Sequence, residues 1–467
     1  MNIEIIKPIG GGTVKAVASK SHAHRILICA ALAKNETYVE CGEMSDDIGA
    51  TVGCLESLGA NIKYDGTGFM VKPIARPILG DSTITQYCGE SGSTLRFMLP
   101  ICCALGVPAE FIMAGRLSER PMSPLLNQLE SHGCEIIQEY DAATEQDGTT
   151  VLPYQNRSKD SSASGGGNDL RHTSMGSKFR CTGKLSSGVF ELPGNISSQF
   201  ISGLLLALSL LTDDSVLSIV GREESRPYIA MTLDALSTFC VKIKRFATNP
   251  AKGAAYRIKG AQNHRSLARV SIEGDWSNAA FWLCAGAIGN GSVTCTGLNL
   301  GSTQGDMGII RLLERFGANV TYEGDSVTVS PAKLRGIQID AIDIPDLVPA
   351  LSVVASVAEG ETLINNAGRL RLKESDRLQS ITETLYALGA NITESRSNLI
   401  IKGGSSLQGG TVSSFNDHRI VMMAALASVA CNNPVKINDT EAVNKSYPWF
   451  FKDYEALGGK IKIGIRN

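Results

Sequence analysis

The sequence predicts an α/β protein of two lobes, each built from three related units, and two periodicities carry that prediction. A short motif recurs six times: LESLGANI from Leu55, LESHGCEI from Leu129, LSTFCVKI from Leu236, LERFGANV from Leu313, LYALGANI from Leu385 and YEALGGKI from Tyr454. The intervals are 74, 107, 77, 72 and 69 residues. Units of about 70 residues exceed a solenoid period of roughly 20–50 and are too short for separate large domains, so two groups of three is the natural arrangement. The second periodicity places a polar cluster before an apolar helical run in every unit. With Ser21, Ser91, Ser197, Trp276, Asp346 and Asp417 as markers its intervals are 70, 106, 79, 70 and 71, in step with the first.

Each element follows from local chemistry. The chain begins Met1-Asn2-Ile3-Glu4-Ile5-Ile6-Lys7-Pro8, which alternates like a strand and lacks the basic n-region and apolar core of a signal peptide. The first helix of each unit has a decorated N-terminus, as in Ser19-Lys20-Ser21, Glu90-Ser91-Gly92-Ser93, Asn195-Ile196-Ser197-Ser198-Gln199, Asp275-Trp276-Ser277-Asn278, Pro345-Asp346 and Asn416-Asp417-His418. Short side-chain oxygens there accept the orphan N–H groups of a first turn. The repeated motif reads as the end of a second helix, stopped by Gly or a small residue in left-handed geometry, with a β-like run after it. The long second interval has a cause: residues 155–179 are polar and include Asp160-Ser161-Ser162-Ala163-Ser164-Gly165-Gly166-Gly167, the composition of a flexible surface insertion.

Composition bounds the function. At 467 residues, 43% hydrophobic and net charge −2, the chain has ample core and lacks the basic surplus of a general nucleic-acid or anionic-membrane binder. Its twelve Cys form no C-x-x-C pair, so reduced thiols buried as small hydrophobes are expected. The longest apolar runs, around Leu204 to Leu211 and Ile420 to Ala430, fall short of the ~20 residues that span a bilayer. A cytoplasmic chain is expected.

Six equivalent helix N-termini suggest anion binding, because each presents free N–H groups and about half a positive charge. Pseudo-symmetry would turn three toward one face of each lobe, and two facing lobes would enclose a cleft for small polyanions. Six well-capped core helices are the plainer alternative. The cations favour the first: Lys20 and Arg25 at the first helix start, Arg120 in a turn-like Arg116–Arg120 segment, Lys373 and Arg377 four apart and so on one helical face, Arg419 after its cap, and Lys445. Any one alone is usually a solvated charge; seven at cap or turn positions are not readily dismissed.

At this point the residues resemble a known family. Lys20-Ser21-His22-Ala23-His24-Arg25, Gly92 in a Gly/Ser-rich turn, Arg120 before Pro121, Ser197-Ser198-Gln199, Lys373-Glu374-Ser375-Asp376-Arg377 and Asn416-Asp417-His418-Arg419 are similar, in order, to the 5-enolpyruvylshikimate-3-phosphate synthases. The resemblance covers nearly the whole chain apart from the insertion. It implies a two-lobed inverted α/β barrel, each lobe three βαβαββ repeats around buried helices. One lobe would hold residues 1–17 and 273–467, the other 18–272. It also implies transfer of the enolpyruvyl group of phosphoenolpyruvate to the 5-hydroxyl of shikimate 3-phosphate, through a tetrahedral ketal phosphate, with phosphate released. No metal or organic cofactor is implied, in keeping with the lack of metal-ligand spacings and P-loops. A monomer with small-molecule partners, and neither nucleic acid nor membrane, is expected.

Site roles carried by that resemblance are as follows. Lys20 would lie between the substrates, with Ser21 and Arg25 on shikimate 3-phosphate beside Ser197, Ser198, Gln199, Ser225, Tyr228, Asp346 and Lys373. Lys20, Gly92, Arg120, Gln199, Arg377, Arg419 and Lys445 would hold phosphoenolpyruvate. Asp346 and Glu374, with Lys20, would serve proton transfer and charge stabilisation. The substrates bring about five to six negative charges, against seven cations in Lys20, Arg25, Arg120, Lys373, Arg377, Arg419 and Lys445. His22, His24 and His418 read as positioning or packing residues. Two departures stand out: Arg369 where an Asn usually contacts the sugar phosphate, free to reach the 3-phosphate or to be solvated, and Ser93 where Thr commonly follows the glycine. Three rivals remain. The sister UDP-N-acetylglucosamine enolpyruvyl transferase would carry a reactive Cys where Arg116 to Arg120 has none. An RNA-end-processing or RNA-binding repeat protein would show a basic surface and aromatic platforms. An inactive scaffold would not keep the whole charged set.

Overall fold

A computed structural model describes residues 1–75, 82–139, 178–247, 253–404 and 406–464. Among these the strands form six four-stranded sheets. All six share one topology: a parallel outer pair, then two antiparallel steps. That is the βαβαββ unit, seen undisturbed in residues 338–402, where strands Gln338–Asp340 and Glu361–Asn365 run parallel and Leu399–Lys402 and Asn391–Glu394 follow antiparallel.

Three units borrow strands across the chain. Strand Gly12–Lys15 pairs with Val293–Thr296, whereas Arg269–Ser271 pairs with Thr37–Glu40. The chain therefore crosses between sheet sets twice, and the crossings lie side by side. Ala18 bridges Gly274, Ser19 donates its N–H to the Glu273 carbonyl, and Asp275 donates to Val17. The N-terminal strand Asn2–Lys7, buried at alternate residues as its sequence predicts, completes the sheet of Val435–Asn438 and Lys460–Gly464.

The first helix of each unit is buried almost all round: Lys20–Ala31, Gly92–Leu105, Ser198–Leu208, Trp276–Ile288, Val348–Val357 and His418–Ala427. Sheets outside and helices inside make each lobe an inverted α/β barrel. Its buried side chains fall into two clusters, one joining Ile3–Val17 to Trp276–Leu457 and the other running from Ala23 to Ile258. Five of the six helices are capped by a side chain, at Ser19, Ser91, Ser197, Asp275 and Asp417. The sixth differs from expectation: Asp346 lies in the 3-10 turn Pro345–Leu347, and the helix that follows has no side-chain cap, which leaves the Asp346 carboxylate free for other partners.

The six motif ends behave as the sequence predicts. Gly59, Gly133, Cys240, Gly317, Gly389 and Gly458 all have positive φ, between 63° and 101°, the left-handed geometry that closes a helix onto the next strand. Lys178–Gly183 is a strand, so the expected insertion is at least two residues shorter than 155–179; residues 155–177 lie outside the described ones.

Close helix approach inside the second cluster depends on Gly203, where an added Cβ would sit 2.1 Å from the Arg96 carbonyl oxygen. Gly203→Ala should cost about 1–3 kcal/mol by overpacking, read as a lower denaturation midpoint; an unchanged midpoint would mean that the two helices can part freely.

Candidate active site

One solvent-open cleft is lined from either side. The helix starts of the Ala23–Ile258 cluster supply Lys20, Ser21, Arg25, Gly92, Ser93 and the run Ser197-Ser198-Gln199. Arg120, Ser225 and Tyr228 reach the same space from neighbouring segments, and the opposite lobe supplies Asp346, Arg369, Lys373, Glu374, Arg377 and His418. Thus all the sequence-predicted site residues except Arg419 and Lys445 line the cleft.

Arg377 organises the far wall. It starts the helix Arg377–Ala387, capped by Asp376, and its side chain is 1% exposed. Nε donates to Asp417 Oδ2 at 2.8 Å, Nη1 to Asp346 Oδ1 at 2.8 Å and Nη2 to Glu374 Oε2 at 2.6 Å. One guanidinium fork therefore gathers three carboxylates. Lys373 is not on that helix, contrary to the four-residue spacing argument, because Asp376 caps it and Lys373 precedes the cap. It nevertheless reaches Asp346 Oδ1 at 3.3 Å. Burial opposes ionisation of Asp346, but Lys373, Arg377 and Arg419 outweigh it and hold its carboxyl well below the carboxylate range. Burial likewise opposes a charged Glu374, and Arg377, Arg120 and Lys20 hold it well below its usual value.

On the near wall Lys20 Nζ meets Asp47 Oδ2 at 2.7 Å, and Ser45 caps the helix Asp46–Ser57 that carries this aspartate. Burial pulls the ammonium down, yet Asp47 and Glu374 more than compensate, so Lys20 sits above its ordinary value and is charged at neutral pH. Lys373 is lowered, burial outweighing Asp346. Arg25 is stretched across four partners: Nη1 to the Ser21 carbonyl at 2.6 Å, Nε to Thr232 at 2.7 Å, and Nη2 to the Tyr228 carbonyl at 3.1 Å and Ser202 Oγ at 3.4 Å. Burial pulls it down to about 10, still cationic near pH 7.

The two remaining cations stand behind the wall. Arg419 bonds Asn278 Oδ1 at 3.1 Å and lies 3.7 Å from Asp346 Oδ2. Lys445 donates to Glu90 at 2.9 Å and to the Asn416 carbonyl at 2.6 Å, while Asn416 bonds both Glu90 oxygens, so the two lobes are joined there. Arg369 joins them again, through Glu224 at 3.3 Å and Ser225 Oγ at 3.0 Å; it is a lining residue and not a solvated charge.

Sequence reasoning passed over several side chains. Asp47 drew no reading, Arg96 falls in the apolar run that follows the Ser91 cluster, and Asp417 read as a cap. Arg96 lines the cleft, bonding Gln199 Oε1 at 2.5 Å, while Gln199 donates to Ser93 Oγ at 2.9 Å. A cation inside an apolar helical stretch was the available signal. The histidines divide. His24 pairs with Thr51 at 2.7 Å and His22 accepts from the Glu273 N–H at 3.3 Å. His418 instead lines the cleft with neither ring nitrogen bonded, and burial together with Lys20 and Arg419 holds it well below its usual value, hence neutral. No group of three or more His, Cys, Asp or Glu among the described residues has a metal-holding arrangement.

Comparison with known proteins places this geometry. The family model for EPSP synthase (3-phosphoshikimate 1-carboxyvinyltransferase) matches residues 3–149 and 169–454. The chain belongs to the EPSP synthase family. Relatives named 3-phosphoshikimate 1-carboxyvinyltransferase are 38% identical in Clostridium kluyveri, over 96% of each chain, and 39% identical in Clostridium perfringens, over 97% of each. Solved structures share the fold: EPSP synthase from Acinetobacter baumannii has a TM-score of 0.74 at 23% identity, over 99% of this chain and 100% of that one. The enolpyruvyl transferase NikO from Streptomyces tendae has 0.72 at 18% identity, over 99% and 98%. This member of the EPSP synthase family is therefore an enzyme with the two-lobed inverted barrel.

Arg377→Ala should leave Asp417, 0% exposed, without its cation and cost about 3–5 kcal/mol in a denaturant titration. A loss below ~1 kcal/mol would mean that the fork does not hold the wall together.

Proposed function

We propose that the cleft binds shikimate 3-phosphate and phosphoenolpyruvate together and transfers the enolpyruvyl group to the 5-hydroxyl, releasing phosphate by addition and elimination. One observation carries this reading: Lys20, Arg25, Arg96, Arg120, Arg369, Lys373 and Arg377 face a space shared with only three carboxylates, Asp47, Asp346 and Glu374. Such an excess of partly desolvated positive charge needs anionic ligands carrying several charges.

The roles that the family resemblance implies are compatible with these positions. Arg25, Ser197, Ser198, Gln199, Ser225 and Tyr228 take the sugar phosphate, and Arg369 adds a cation on the same side. Arg120, the backbone at Gly92 and Arg377 take phosphoenolpyruvate, with Arg419 and Lys445 reaching it from behind the wall. Lys20, between the walls, stabilises charge that develops on either substrate. Asp346, held anionic, can accept the 5-hydroxyl proton; Glu374, next to Arg377 and Lys20, can exchange one with the methylene carbon. Closure of two lobes would bring the groups to reacting distance and expel water.

Division of the chain into 1–17 with 273–467 and 18–272 is supported by the two core clusters and the paired crossings. Cytoplasmic location is supported by unpaired cysteines, and no helix among the described residues is long and apolar enough to cross a membrane.

Phosphate release from phosphoenolpyruvate should require shikimate 3-phosphate. Release with a UDP-amino sugar alone would reassign the enzyme, and release with neither would reject the reading. Lys20→Ala and Glu374→Gln should each lower kcat by at least about a hundredfold with little change in thermal midpoint; large unfolding in both would make them structural. Gly92→Ala puts a Cβ 2.6 Å from Arg120 Nη1, so the KM for phosphoenolpyruvate should rise while that for shikimate 3-phosphate stays close to its native value.

A further inference from the structure

One carboxyl behind the wall has no place in the roles above. Asp306 lies in the 3-10 turn Gly305–Gly308 and is 3% exposed. Its Oδ2 accepts a hydrogen bond from Ser277 Oγ and faces the Tyr228 hydroxyl at 3.4 Å, while Oδ1 has no partner. The same hydroxyl stands 3.2 Å from Asp346 Oδ2. A phenol has one proton, so it can donate to only one of the two carboxylates. The other contact becomes a hydrogen bond only when that carboxyl carries its own proton and donates it to the phenol oxygen.

The surroundings decide which carboxyl carries it. Asp346 is paired with Lys373, Arg377 and Arg419, whereas the hydrogen-bond partners of Asp306 are two hydroxyls. Facing Asp306 are Tyr228 from the helix Arg226–Thr238, Ser277 and its helix-capping Asp275, Asp346 from the turn before its helix, and Arg419. Burial first, and Asp346 second, push the Asp306 carboxyl up to about 7, against the opposing pull of Ser277 and Arg419.

We propose that Asp306 is a positioning residue for Asp346: the two carboxyls share the Tyr228 hydroxyl, and the proton on Asp306 sets how strongly Asp346 attracts one. This rests on the reading of Asp346 as the carboxylate that takes the substrate proton. With Asp306 protonated, its O–H donates to Tyr228, the Tyr228 proton points to Asp346, and Asp346 is the weaker base. When Asp306 releases that proton to solvent, two anions face one hydroxyl proton and the proton affinity of Asp346 rises. Only O–H bonds change, and the triad holds one proton fewer.

The test is the pH dependence of kcat for the full-length native enzyme and for Asp306→Asn, which cannot ionise. Substrate phosphates titrate near ~6 in both proteins, so the ratio of the two profiles isolates the enzyme's own group. The native kcat should rise about threefold or more through neutral pH relative to Asp306→Asn; parallel profiles would overturn the proposal, as would a variant that merely lowers the thermal midpoint. Should Asp306→Asn fail to fold, Ser277→Ala decides. Losing that donor raises the Asp306 proton affinity, so the rise should move to higher pH, and an unmoved rise would contradict the proposal. Asp346→Asn separates the two readings. If it retains turnover, the role of Asp346 itself falls; if it loses turnover while Asp306→Asn keeps the native profile, only the present inference falls.

Discussion

A single buried guanidinium is the constraint on which the site depends. Arg377 holds Asp346, Glu374 and Asp417 at 2.6–2.8 Å, and without it three acids would crowd a nearly dry wall. Burial of a charge is tolerable only with partners in good geometry. Here two of the partners are also the groups proposed to move protons, so the fold keeps Asp346 and Glu374 ionised by the same contacts that build the wall.

The repeated unit explains how such a wall can face a second one. Six sheets of one topology surround six inner helices, and the starts of Lys20–Ala31, Gly92–Leu105 and Ser198–Leu208 line one wall of the cleft. The two chain crossings are bonded to each other at Ala18 and Gly274. Cross-lobe pairs sit on either flank, Lys445 with Glu90 and Arg369 with Glu224. The cleft is therefore a product of symmetry within each lobe and of a few polar bonds between them.

Much of this was legible in the residues. The helix stops were plain because left-handed closure admits few side chains, and even Cys240 obeys at φ 63°. The caps at Ser19, Ser91, Ser197, Asp275 and Asp417 were equally plain. Asp346 misled, since Pro345-Asp346 has the look of a helix start although a 3-10 turn intervenes. Lys373 misled too, because a capping aspartate starts the helix one turn later than spacing alone suggests. Asp47, Arg96 and Asp306 were not legible: each acquires its meaning from a partner far along the chain, such as Gln199 for Arg96 at a separation of 103 residues. Local patterns fix where a helix begins, not which distant charge it will meet.

The central claim is that positive groups from both lobes of this EPSP synthase family member enclose one site for two polyanions. A crystal structure with shikimate 3-phosphate and an unreactive phosphoenolpyruvate analogue tests it most directly. Both ligands should lie between the walls, with Lys20 touching each, Arg25 on the sugar side and Arg120 on the other. Ligands bound singly on an outer surface, or a cleft left empty at saturating concentrations of both, would contradict the account.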